Sequence, residues 1–86
     1  MTATEDMNIK IYDNGGNTFD RYTVIYMNYP ERNGLFTCLG MSENPFHPQG
    51  FGQHGSAQDG KHLGQEISFE ELPAECQKAV LNDIDN

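Results

Sequence analysis

Phe19-Asp20-Arg21-Tyr22-Thr23-Val24-Ile25-Tyr26-Met27 is the stretch on which the fold turns. It is dense in aromatic and β-branched side chains, which pack well on a pleated surface. Alternation puts Tyr22, Val24 and Tyr26 on one face and Thr23, Ile25 and Met27 on the other. Both faces are mostly apolar. The spacing predicts a strand over 19–27 that lies centrally and is covered on at least one side.

Upstream, Met7, Ile9 and Ile11 alternate with Asn8, Lys10 and Tyr12, which predicts a strand over 7–12. Asp13-Asn14-Gly15-Gly16-Asn17 follows, and its Asn and Gly residues tolerate the positive φ of a hairpin connection. Residues 1–6 read as a flexible tail ahead of a single domain over 7–86. Downstream, Pro30 and Asn33-Gly34 bracket a second turn. Leu35 to Met41 then alternates as a third strand. Such short connections favour an antiparallel meander.

Residues 42–62 follow no period. Pro45, Pro48, Gly50, Gly52 and Gly55 oppose regular structure, so the segment reads as a long Gly/Pro-rich loop. It also carries Phe46, His47, Gln49, Phe51, Gln53 and His54. Flat rings among neutral donors and acceptors suit recognition of a small polar ligand or a partner's protruding loop. The alternative is that the rings plug the open sheet and the imidazoles pin the loop. Leu63, Ile67 and Phe69 admit a short fourth strand within 62–69. Leu72, Cys76, Ala79, Val80 and Ile84 keep the spacing of a buried helical stripe, with Pro73 in the first turn and Glu70, Glu71 and Glu75 at the positive end. Leu81 falls off the stripe. The expected fold is α+β: a three- or four-stranded antiparallel sheet, the long loop, and one C-terminal helix packed on the sheet.

The 86 residues carry 13 Asp+Glu against 5 Lys+Arg, a net charge of −8. That balance disfavours direct nucleic-acid binding. Glu66, Glu70, Glu71, Glu75, Asp83 and Asp85 face only Lys78 in the last quarter, so the excess is steepest there. An acidic surface that mimics nucleic acid and inhibits a basic partner is therefore an alternative function. Cys38 and Cys76 form no C-x-x-C pair, and His47, His54 and His62 are spaced H-x6-H and H-x7-H, which matches no compact metal motif. No metal and no cofactor are expected. Ser42, Ser56 and Ser68 lack a nucleophile-elbow context, and no catalytic residue is assigned. A small enzyme using His47 or His54 as acid or base is the third reading. The polar, acidic start has no signal-peptide pattern and no apolar run approaches a membrane span, so a cytoplasmic protein with reduced thiols is expected. Dimerisation is a further route to stability for a core this lean.

Four segments carry a resemblance together: Ile11-Tyr12-Asp13-Asn14-Gly15-Gly16, Phe19-Asp20-Arg21-Tyr22-Thr23-Val24, the run from Gly40-Met41-Ser42-Glu43-Asn44-Pro45-Phe46-His47-Pro48-Gln49-Gly50-Phe51-Gly52-Gln53-His54, and Leu72-Pro73-Ala74-Glu75-Cys76-Gln77-Lys78-Ala79-Val80-Leu81. The chain resembles a group of small proteins of bacteria, bacteriophages and other mobile elements that has no assigned activity. That resemblance implies no catalytic residue. It implies a setting in which small proteins act by binding host machinery, here a host protein or small polar ligand met by the 44–62 loop.

Overall fold

A computed structural model of the chain describes residues 8–50 and 52–85. Among these residues, five strands, β1 (Ile9–Asp13), β2 (Tyr22–Pro30), β3 (Phe36–Met41), β4 (Gly52–Ala57) and β5 (Gln65–Ile67), precede one helix, α1 (Ala74–Asp85). Short 3-10 turns at Lys61–Leu63 and Phe69–Glu71 flank β5. The strands form one antiparallel sheet in the order β4-β3-β2-β1-β5. The α+β architecture with a C-terminal helix on the sheet is as the sequence predicts.

Two features differ from the sequence reading. The long loop contains β4, so the sheet has five strands, one beyond the upper expectation. And the meander stops at β4: β5 returns to the opposite edge beside β1, pairing Ile11 with Ile67. Strand ends also move. β1 starts at Ile9, while Met7 and the proposed tail over 1–6 lie outside the described residues. β2 starts at Tyr22 because Phe19 and Arg21 make a tight turn, the Arg21 N–H donating to the Phe19 carbonyl at 3.0 Å. Its far end reaches Pro30 through a register shift between Ile25 and Pro30.

The core follows from the two apolar faces of β2. Tyr22, Val24 and Tyr26 meet Ile11, Leu39 and Met41 from neighbouring strands and Leu72, Cys76 and Val80 from the helical stripe. Val24, Met41, Cys76 and Val80 are fully buried there. Full burial of an aliphatic side chain contributes about 1.5–3 kcal/mol. The opposite face holds a smaller cluster, Tyr12, Ile25 and Cys38, with Leu63 of the 3-10 turn packed against it. Lys10 ties that covering segment down by an ion pair to Asp59 at 3.2 Å.

Helix α1 begins where the Pro73 carbonyl accepts the Gln77 N–H at 3.0 Å. Glu70 and Glu71 belong to the preceding 3-10 turn, where the Glu71 carboxylate accepts the Ser68 N–H at 2.6 Å. Leu81, off the stripe, is half-buried.

Candidate functional site

An open cleft of about 630 Å³ lies between the β1–β2 loop and residues 42–50. Asn17, Thr18 and Phe19 form one wall; Asn44, His47 and Gln49 form the other. The first wall is shaped by its own side chains. The Asp13 carboxylate accepts the Gly15 N–H at 2.8 Å, and the Asn14 side-chain oxygen accepts those of Gly16 and Asn17 at 2.8 and 3.1 Å. Gly15 and Gly16 sit at φ 79° and 88°, where a side chain is strained. Phe19 stands 66% exposed at the rim.

The second wall is a pair of tight turns. His47 N–H donates to the Asn44 carbonyl at 3.1 Å, and Gly50 N–H to the His47 carbonyl at 2.7 Å. A Cβ on Gly50 would collide with the Asn44 carbonyl, so the closure requires glycine. The Gln49 N–H donates to His47 Nδ1 at 3.1 Å. With Nδ1 accepting, the ring proton of His47 sits on Nε2.

Arg21 joins the walls. Its guanidinium grips Asp13 through two hydrogen bonds at 2.7 and 3.0 Å and reaches Glu43 at 3.4 Å. Fork-to-carboxylate geometry is the strong form of this contact. Arg21 holds the Asp13 carboxyl below its ordinary range, and Asp13 raises the guanidinium in turn. Asp20 adjoins Arg21 in sequence and is its nearest carboxylate along the chain. The partners are instead Asp13 across the hairpin and Glu43 on the next loop, because Asp20 lies on the other side of the sheet against Gly40.

The six residues singled out in the sequence fall in different places. His47 and Gln49 face the cleft. Phe46 lies beside α1, half-exposed, with Lys78 Nζ 5.6 Å from its ring centre. It borders a hollow of about 250 Å³ with Leu39, Pro45, Gly52, Ala79 and Asp83. Gln53 and His54 are consecutive in β4 and so point to opposite faces. Phe51 lies outside the described residues.

His54 belongs to a cluster built from three distant parts of the chain. Its Nε2 is 2.7 Å from one Asp83 carboxylate oxygen, and the Tyr26 hydroxyl donates to the other at 2.6 Å. Asp83 accepts from both, so His54 carries a proton on Nε2 and presents Nδ1 outward. Burial, and then the Asp83 carboxylate, raises the Tyr26 phenol far above its ordinary range. The cluster fastens an exposed strand to the last turn of the helix.

Among the described residues, no three His, Cys, Asp or Glu side chains stand close enough to share a metal ion. Both cysteines are buried. Burial pushes the Cys76 thiol up to about 11 and raises Cys38 as well. Cys76 donates to the Ser42 carbonyl at 3.3 Å, a packing role. Also among the described residues, no helix is long and apolar enough to cross a membrane.

The sequence reading missed the first wall of the cleft and missed Asp83. Phe19 reads as a strand residue by composition. Asp13 and Arg21, opposite charges on either side of an Asn/Gly turn, are the signal that would have placed the loop. No protein-family model, curated protein or solved structure matches the chain.

Proposed function

We propose that this chain is a non-enzymatic binding protein that takes a small polar ligand in the cleft between the β1–β2 loop and residues 42–50. The observation that carries this reading is the Asp13–Arg21–Glu43 bridge, which fixes the two walls relative to each other before any ligand arrives. Preorganised walls spare a ligand the cost of ordering them. Amide, hydroxyl and imidazole groups from Asn17, Thr18, Asn44, Gln49 and His47 supply neutral donors and acceptors, and Phe19 supplies a flat apolar surface. The net charge of −8 disfavours an anionic ligand. The proposed setting is the cytoplasm of a host cell, as the resemblance to small phage and bacterial proteins would imply.

One observation favours a second reading. Glu66, Glu70, Glu71 and Glu75 are all exposed on the approach to α1 and at its start. That acidic surface suits inhibition of a basic, nucleic-acid-handling protein.

Affinity capture from bacterial lysate, with both proteins and small molecules identified in the eluate, tests the two. The cleft reading expects a small molecule retained by wild type at high salt and lost in Phe19→Ser and in His47→Ala, with melting temperature unchanged. Capture of a basic protein that vanishes at high salt and ignores both substitutions would replace it with the acidic-surface reading.

A further inference from the structure

We propose that the outer edge of β4 receives an extended, lysine- or arginine-bearing segment of another protein as an additional strand. β4 ends the sheet, and among the described residues nothing pairs with its outer edge. Its register with β3 is continuous from Phe36↔Ala57 to Met41↔Gly52, with no bulge to twist the edge away. Gly52-Gln53-His54-Gly55-Ser56-Ala57 contains no proline, lysine or carboxylate. Edge strands of natural proteins are ordinarily blunted by one of these devices or by being very short. The other edge follows that rule: β5 has three residues and carries Glu66. β4 has six, and Gly52 to Ser56 are exposed.

Charge selects the occupant. Carboxylates border β4 on both faces. On the helix side Glu31 accepts from the Ser56 and Thr37 hydroxyls, and Asp83 holds His54. On the other side Asp20 shares a shallow groove with Gln53 and Gly55. An added strand sends side chains alternately to the two faces, so cations along it meet acids on either side. Main-chain pairing gives affinity, and those acids choose the sequence. A second copy of this chain is the poorer match, since it brings another −8 to the same edge. The inference is independent of the cleft, which lies on other residues.

Isotope-labelled protein titrated with the peptide Ac-Thr-Lys-Lys-Val-Lys-Lys-Thr-NH2, whose lysines fall on both faces of a strand, and with its Glu-for-Lys counterpart, gives the test. The lysine peptide should shift amide signals of Gly52–Ala57 and slow their hydrogen exchange, and should bind at least about tenfold more tightly than the glutamate peptide. Asp20→Asn, an exposed change, should weaken the lysine peptide about threefold without altering the melting temperature. Phe19→Ser should leave peptide binding untouched, which separates this proposal from the cleft. The proposal is overturned by unshifted β4 amides at millimolar peptide, or by equal affinity for the two peptides. It is also overturned by a concentration-dependent dimer whose β4 amides are already protected without peptide.

Discussion

From Tyr22 to Tyr26, β2 buries every residue except Thr23, whereas from Gly52 to Ser56 β4 exposes every one. Both are strands of the same sheet, two positions apart. β2 is held by side chains: Val24 and Ile25 have no exposed surface, and each anchors one of the two apolar clusters. β4 is held by its neighbour: β3 offers a regular ladder, and Gly52 and Gly55 bring no side chain to oppose pairing. A strand can thus be specified by its own apolar pattern or templated by the strand beside it.

The sharpest way to break the comparison is a charge at the centre of β2. Val24→Asp should cost more than about 4 kcal/mol and leave the chain unfolded by circular dichroism, because a buried carboxylate there has no partner. A folded Val24→Asp protein with a native melting curve would mean that β2 is not the organising strand.

A smaller effect tests the link between the two strands, since Tyr26 and His54 share Asp83. Tyr26→Phe should destabilise by about 1–2 kcal/mol in chemical denaturation, as it removes the buried hydroxyl's bond to the carboxylate. His54→Ala, at the exposed end, should cost less than about 1 kcal/mol. The reverse ranking would make β4 the senior partner in that contact.

Next comes Asp13 at the end of β1, beside the start of β2. Its folded pKa is depressed by Arg21, so its contribution to stability is complete above the ordinary carboxylate range and is lost as pH falls through the folded value. Asp13→Asn should therefore cost about 1 kcal/mol at pH 7 in this partly exposed pair. The difference from wild type should shrink steadily below about pH 4. A gap that stays constant to pH 2 would remove the ion pair from the account.

The smallest effect belongs to β4 itself. Gln53→Lys should change stability by no more than about 0.5 kcal/mol, because the side chain is exposed and the ladder uses only main-chain groups. A loss comparable to that of Tyr26→Phe would show that the Gln53 face of β4 is held by side-chain interactions, as the His54 face is.

This contrast also explains what the sequence reveals. β2 and α1 are legible because burial writes a period into the chain: Val24 and Ile25 divide between faces, and Leu72, Cys76 and Val80 recur at helical spacing. β4 leaves no such trace, since an exposed edge strand selects for no apolar alternation, and its glycines resemble a linker. The cleft is half legible. His47 and Gln49 stand out as ring and amide in a Pro/Gly setting, but Asn17, Thr18 and Phe19 join them only through the Arg21 bridge to Glu43. Gln53 and His54 look like neighbours in one loop and are separated by the pleat of a strand.

The pairing of Ile11 with Ile67 has a consequence for the order in which the molecule can be completed. A chain made from its N-terminus releases β1 through β4 in sequence, and each can join the strand made just before it. The far side of β1 has no such early neighbour among the described residues. It waits for Gln65–Ile67, which follow β4 in the chain, and for α1 directly after. During that interval the nascent sheet is open along β1, and its Val24 face is bare until Val80 arrives. Residues 65–85 therefore act as a closing seam: they seal a strand border and roof the main core after the first four strands are in place.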